Sequence, residues 1–432
     1  MPSIRLLCTG DLHLGRYPTR IPPHETSLSV SAAWQRVVDY AITQRVDALV
    51  LTGDIVDASN RYFESYGTLR SGLERLTAEG ISVYAVAGNH DYDVLPRLLE
   101  TLDNDLFHLL GLGGTWQTAP LLQDGHPAIL FAGWSFPSRH FPDSPLESFS
   151  CPEADVPIVC LVHGDLDVSD SAYAPLRRAD LEGHPVSAWL LGHIHRPARY
   201  PHRDGCILYP GSLQPLDPGE EGLHGPWLLE ISSNGRVEAR HVYLASLCYA
   251  SLEIDVTGVS EMEQIESHIT QKIEEDLRQR CEIAEDLGWV VYRLKLYGRT
   301  KLHRELKRQE GRLAEDLVVH RDRARGTIDK VEMATAPDYE LERFSEISDP
   351  PGMLARLLLH VEKDMADGDA PGENHRKLFM EVEEALRSVF RARAYAPLRS
   401  EDATRHPPDE HVVGQLLLRQ GRLLLEEILA QK

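Results

Sequence analysis

With 432 residues the chain is too long for one hydrophobic core and calls for two or three domains. Its 67 acidic residues against 45 basic ones give a net charge of −22, which excludes a simple basic surface gripping nucleic acid; 42% hydrophobic and 26% charged residues exclude a disordered chain. No apolar stretch approaches the roughly 20 residues of a membrane span, no signal peptide fits before the first apolar run, and the six cysteines form no Cys-x-x-Cys pair. The expectation is a cytoplasmic protein with reduced thiols and no membrane partner.

Up to about residue 246, short apolar runs alternate with helical patterns. "SIRLLCTG" reads as a strand, "SAAWQRVVDYAITQ" as an amphipathic helix, "DALVLTGD" as a strand and "YFESYGTLRSGLERLTAEG" as a helix closed by Gly80. "ISVYAVAGNHD", "PAILFAGW", "VPIVCLVHGD", "SAWLLGHIH", "CILYPGS" and "GPWLLEI" continue the strands. This rhythm predicts a layered α/β core of two packed mixed sheets flanked by helices. Lysine first appears at Lys272. Beyond the core, "YASLEIDVTG" and "GWVVYRLKLYG" flank the helix "EMEQIESHITQKIEEDLRQR", and "KLHRELKRQEGRLAEDL" reads as another helix. These predict a smaller α+β domain over 247–345. After "ISDPPGM", helices over 351–365, 372–394 and 409–430 form a tail, 346–432.

The ends of the first-domain strands carry the chemistry. They read Gly10-Asp11-Leu12-His13, Gly53-Asp54, Gly88-Asn89-His90-Asp91, His163-Gly164-Asp165 and Gly192-His193-Ile194-His195. Residues i and i+2 of an extended chain share a face, so His193 and His195 project together. Five strand ends thus offer oxygen or nitrogen ligands at the carboxyl edge, where sites in open α/β sheets form. Carboxylate, amide and imidazole groups without thiolates suit Mn²⁺, Fe²⁺ or Zn²⁺. Seven ligands exceed what one ion needs; two ions roughly 3.5–4 Å apart, sharing a carboxylate, use them all.

Together these motifs resemble the calcineurin-like metallophosphoesterases. Within that superfamily, "DLHLG", "GDIVD", "GNHDYD", "YPGSLQPLDPGEEGLHG" and "LKLYGRTKLHREL" are similar to the bacterial DNA-repair exonucleases of the SbcD and YhaO type, through about residue 310. The resemblance implies a 1–246 nuclease domain, a 247–345 DNA-capping domain and an unassigned tail. It implies two metal ions, Mn²⁺ first among the candidates: one held by Asp11, His13, Asp54 and His195, the other by Asp54, Asn89, His163 and His193. It places His90 at the leaving oxygen, with Asp91 either orienting it or capping the next turn. Asp57 stands where archaeal and eukaryotic relatives carry a second histidine, and a direct catalytic role for a carboxylate there is not expected.

Arg293, Lys295, Arg299, Lys301 and Arg304 form the densest basic segment and are candidates for backbone phosphate contacts, or else a solvated face. The expected partners are DNA, an SbcC/YhaN-like coiled-coil ATPase and a second copy of the chain. In the tail, Val413, Leu416, Leu417, Leu424 and Ile428 lie near one helical stripe that docks on a partner or on the chain's own body. The expected activity is a Mn²⁺-dependent DNA exonuclease; the alternatives are a small-molecule phosphodiesterase or phosphatase, and a scaffold subunit regulating the ATPase.

Overall fold

The computed structural model describes residues 3–22, 24–57, 64–99, 105–315, 317–321, 323–338, 341–367, 373–391 and 410–430. The chain divides into two compact units, one made of residues 1–254, 266–295 and 310–332, the other of 255–265, 296–309 and 333–432.

The first unit holds two six-stranded mixed sheets, as the layered reading predicts. One contains β1 (Ile4–Thr9), β2 (Ala48–Leu51), β3 (Ser82–Ala85), β4 (Phe107–Leu109), β11 (Trp227–Ile231) and β12 (Val237–His241), in the order β12-β11-β1-β2-β3-β4. The other contains β5 (Gln117–Gln123), β6 (His126–Trp134), β7 (Ile158–His163), β8 (Ala188–Gly192), β9 (Ala198–His202) and β10 (Gly205–Tyr209), in the order β5-β6-β7-β8-β10-β9. β1–β4 run parallel to one another, as do β6, β7, β8 and β10, so the ends of β1, β2, β3, β7 and β8 define the edges where the polar motifs lie.

Period two decides what each side chain covers. Leu6 and Cys8 of β1 and Leu190 of β8 join one buried cluster with Val50, Tyr84, Phe131 and Leu161, which fills the space between the sheets. The intervening Leu7 instead packs with Trp34, Val37 and Val38 of α1 (Val30–Gln44) and Leu69 and Leu73 of α2 (Glu64–Ala78). Trp189 and Leu191 face the opposite way, with Trp134, Ile207 and Leu181, in a third cluster that covers the second sheet's outer face. Strands covered on both faces need apolar residues at every position, which is why these runs read as continuous rather than alternating. Two short helices, α3 (Leu95–Leu99) and α4 (Arg178–Gly183), follow β3 and β7.

The third sheet has four strands, β13 (Leu247–Asp255), β14 (Trp289–Thr300), β15 (Val318–Arg321) and β16 (Ala324–Pro337), ordered β13-β14-β16-β15. Two of them, β15 and β16, extend the expected β-α-β-α pattern. Val290, Tyr292, Leu294 and Leu296 of β14 are buried, as the alternation predicts. Between β13 and β14, α5 (Met262–Ile283) buries Ile269, Ile273 and Leu277, four residues apart.

The second unit is mostly helical: the start of α6 (His303–Glu315), then α7 (Leu341–Ser345), α8 (Pro350–Asp367), α9 (Glu373–Arg391) and α10 (Glu410–Ala430). The terminal helix lies on its own body. Val413 packs with Val361 and Phe379, and Leu425 with Leu358 and Ala355. A Cβ on Gly414 would sit 2.5 Å from Met365 Sδ, and one on Gly421 2.5 Å from Leu358 Cδ2, so two glycines seven residues apart bring α10 close to α8. Val413 and Leu417 of the expected stripe pack against this body, and the stripe departs at one position: Leu425 is fully buried and Leu424 is 53% exposed. Leu425→Ala is therefore expected to destabilise this unit by about 2–5 kcal/mol, against under ~0.5 kcal/mol for Leu424→Ala. Thermal unfolding followed by far-ultraviolet circular dichroism compares them; equal costs would contradict the observed face.

Candidate metal centre

Each ligand candidate sits where a strand ends and the backbone turns abruptly. Asp11, His13 and Asp54 have φ of 47°, 50° and 49°, and His193 has φ of 97°. The left-handed region is costly for residues with a side chain, on the order of 1–3 kcal/mol each. Backbone hydrogen bonds hold these turns: the amides of Asp11, His13 and Leu14 donate to the carbonyls of Gly53, Asp54 and Ile55 at 2.9–3.0 Å. The loop after β1 thus zips onto the loop after β2. Gly192 allows the crowding, because a Cβ there would meet the Thr52 carbonyl at 2.1 Å and His163 Nδ1 at 2.5 Å.

All seven expected ligands come together. Ligand atoms of Asp11, His13 and His195 lie within 4.8 Å of one another, as do those of Asp54, His163 and His193. His193 N donates to both oxygens of Asp11, at 3.0 and 3.2 Å. Asn89 Oδ1 is 3.1 Å from His163 Nε2 and 3.2 Å from His193 Nδ1. Asp54 Oδ2 lies 3.5 Å from His163 Nε2 and 3.9 Å from His13 Nε2, so one carboxylate reaches both groups.

The donor chemistry fits cations. His163 Nδ1 donates to the Thr52 carbonyl at 3.0 Å, which leaves Nε2, facing the oxygens of Asn89 and Asp54, to carry a cation, either a proton or a metal ion. His195 Nε2 faces His13 Nε2 at 3.0 Å. Lone pairs aimed at one another are stable only with a proton or a metal ion between them. The site's charges follow the same logic. Burial pushes the Asp54 carboxyl up, but His163, His13 and His90 outweigh it and hold the group well below its ordinary range. Burial alone lowers His163, yet Asp54 and Asp11 raise it to about 9; burial also lowers His195, but Glu220 and Asp11 bring it to about 8.

His90 lies beside the centre, its ring 4.9 Å from that of His13, half-exposed, with burial lowering its basicity and Asp54 partly restoring it. Asp91 takes neither role outright: one oxygen accepts from Gly88 N at 2.7 Å, the other from Ile55 N at 2.6 Å and Val56 N at 3.3 Å. It ties the loop after β3 to the loop after β2 and so fixes His90 through the backbone; burial raises it to about 7. Asp57 is closer to the chemistry than the sequence indicates. It is buried, with Oδ2 3.3 Å from His13 Nδ1 and 3.7 Å from His90 Nδ1. Two further carboxylates join the site: Asp165, present in the strand end His163-Gly164-Asp165 but given no role there, is 3.4 Å from His193 Nε2, and Glu220, which the ligand pattern does not reach, is 3.0 Å from His195 Nδ1.

Four of the five basic candidates are paired with carboxylates. Arg293 pairs with Asp329 at 3.1 Å and Lys295 with Glu253 at 2.8 Å. In the second unit Arg299 pairs with Glu362 at 3.3 Å and Arg304 with Glu426 at 2.9 Å, while Lys301 is exposed. Among the described residues, no helix is long and apolar enough to cross a membrane.

Residues 4–197 match the calcineurin-like phosphoesterase family and form a metallophosphoesterase domain. Residues 249–336 match the middle domain of metallophosphoesterase YhaO, and the chain is homologous to YhaO and to Mre11. It is 25% identical over 254 residues to "Uncharacterized metallophosphoesterase YhaO" of Bacillus subtilis, covering 54% of this chain and 57% of that one. It is 26% identical over 282 residues to "DNA double-strand break repair protein Mre11" of Methanosarcina mazei, covering 63% of this chain and 43% of that one. The chain thus spans about half the length of these relatives. A dimetal phosphatase from Danio rerio is 15% identical, with a TM-score of 0.35, over 56% of this chain and all of that one.

The raised His163 makes a pH prediction for chelator-treated protein. Its stabilising contribution is complete below the ordinary histidine value of about 6.5 and is lost as pH rises through about 9. The melting temperature is expected to fall across that window, and His163→Gln to flatten the fall. An unchanged slope in the variant would show that the Asp54–His163 pair is not its source.

Proposed function

We propose that this metal-dependent phosphoesterase is a DNA nuclease, an exonuclease that works with a coiled-coil ATPase. The observation that carries the reading is the convergence of Asp11, His13, Asp54, Asn89, His163, His193 and His195 on one edge, in a chain with Mre11 among its relatives. The ions would be Mn²⁺, which accepts this thiolate-free ligand set. One would take Asp11, His13, Asp54 and His195, the other Asp54, Asn89, His163 and His193. When bound, such a pair supplies positive charge for phosphodiester oxygens and makes water more acidic.

The chain's own residues do the rest. Asp54 spans the two ligand groups and keeps them at a fixed separation. His90, half-exposed beside His13, gives a proton from Nε2 to the leaving oxygen. Asp57 on its Nδ1 side supports the charged ring, and Asp91 anchors the loop that carries it. The proposed division of labour is a nuclease domain over 1–246, a capping domain over 247–345 and a partner-binding tail over 346–432.

DNA has to compete for its contacts. Arg293, Lys295, Arg299 and Arg304 each face a carboxylate of the same chain; Lys295–Glu253 and Arg299–Glu362 are exposed pairs, worth only about 0–1 kcal/mol, so phosphates can displace them, whereas Arg293 and Arg304 face the shielded carboxylates of Asp329 and Glu426. With a net charge of −22, affinity comes mainly from the ATPase or a second copy. The paired cations also favour the second reading, a phosphodiesterase acting on small substrates.

The test is Mn²⁺-dependent cleavage of end-labelled single- and double-stranded DNA by the full chain, beside an aryl phosphodiester and a phosphomonoester. DNA cleavage is expected, abolished in Asp54→Asn and lowered about 10²–10⁴-fold in His90→Ala. Cleavage of the small diester alone, even with the ATPase added, would favour the second reading. Two bound ions with no cleavage of any substrate would leave the scaffold role.

A further inference from the structure

We infer that Glu220 is the positioning residue that commits His195 to metal binding, by fixing which ring nitrogen carries the proton. The inference rests on the metal centre proposed above. His195 has one nitrogen on each side of a boundary. Nε2 faces His13 Nε2 at 3.0 Å within the cluster that includes Asp11, and Nδ1 lies 3.0 Å from Glu220 Oε1.

Glu220 is nearly buried, and every group on it is a donor. Its second oxygen accepts from Ser212 Oγ at 2.6 Å and from Leu216 N at 3.3 Å. An ionised carboxylate can only accept, so His195 keeps its hydrogen on Nδ1, and Nε2 is the nitrogen that gives up its proton and offers its lone pair to a metal ion. A histidine that donates its outer N–H to a carboxylate is both oriented and made a stronger ligand, and loss of such a partner typically costs about 10–100-fold in metal affinity. His163 obtains the same tautomer more weakly, from the neutral carbonyl of Thr52.

The support for Glu220 is itself built in. Ser212 N donates to the His195 carbonyl at 2.8 Å, so the serine that holds Glu220 is tied to the backbone of the ligand it positions. Ser212 Oγ also lies 3.1 Å from His224 Nδ1, and both side chains are buried. Two residues past Glu220, Gly222 N donates to the Tyr249 carbonyl of β13 at 3.0 Å, and Cys248 Sγ donates to the Gly222 carbonyl at 3.1 Å. The loop is therefore held at one end by a ligand candidate and at the other by the first strand of the YhaO-type middle domain.

The experiment is Mn²⁺ titration calorimetry on the full chain, with the visible spectrum of the Co²⁺-loaded protein as a second readout. Wild type is compared with Glu220→Gln, Glu220→Asp, His195→Gln and the Glu220→Gln/His195→Gln double variant. Glu220→Gln is expected to weaken one of two ions about 10–100-fold, leave the other in place and shift the Co²⁺ spectrum. Glu220→Asp should recover part of the affinity. The double variant should bind no more weakly than His195→Gln alone, because both changes act through one bond; a general loosening of the loop would add to the histidine's effect. If His195→Gln weakens an ion and Glu220→Gln does not, or if the two effects add, the role of Glu220 is overturned and the metal centre stands. If wild type binds no ion, the metal centre falls and Glu220 falls with it.

Discussion

The site depends on how closely the ends of strands from two sheets approach. The carbonyl of Thr52, at the end of β2, receives His163 from β7, and a Cβ on Gly192 of β8 would collide with that same carbonyl. A Cβ on Gly88 would sit 2.2 Å from Asp54 Oδ1. Strand ends this tightly crossed leave room only for glycine beside the ligands, and they press the ligands themselves into left-handed backbone. The strain at Asp11, His13, Asp54 and His193 is held by a ladder of backbone bonds and by Asp91, whose carboxylate clamps two loops at once. Rigidity comes before chemistry here: a side chain that has to meet a cation from a defined direction starts from a backbone with no freedom to drift.

Much of this was legible because the ligands are written next to the features that place them. An apolar run ending in glycine and then a polar residue announces a buried strand, a sharp turn and a ligand within five residues, and the pattern repeats five times. The layered core followed from the same runs. What escaped lies far away in the chain or depends on tertiary approach. Glu220 is 25 residues from His195, in a loop of proline and glycine without periodicity, and nothing local marks it as a partner. Asp57 was visible as a departure from relatives, but not its seat between His13 and His90. On α10, leucines at 416–418 and 423–425 make several stripes equally apolar, and the choice between Leu424 and Leu425 is set by two glycines meeting α8. The strands β15 and β16 carry mixed polar and apolar residues on a half-covered sheet, a weaker signal than the buried runs of the core.

The charge balance has a structural counterpart. The basic residues that stand out in the sequence are distributed among acidic neighbours: Asp329 serves both Arg20 and Arg293, and Glu362 serves both Arg299 and Arg422. Local density of arginine and lysine is thus a poor guide to local potential when carboxylates arrive from distant segments. Histidines beside carboxylates at the centre are a different case, since a dry, crowded setting leaves each charge dependent on the next.

The segment from Ser212 to Gly222 belongs by position to the first domain, yet it is bonded both to a ligand candidate and to β13. A seam drawn at the composition change near residue 246 would cut between Gly222 and Tyr249, which the structure joins. In recombination, natural or engineered, a foreign middle domain spliced in at that seam would inherit a loop shaped for another strand, and the mismatch would surface at His195. A module exchanged with this loop intact would begin at Ser212, some 35 residues before the sequence changes character.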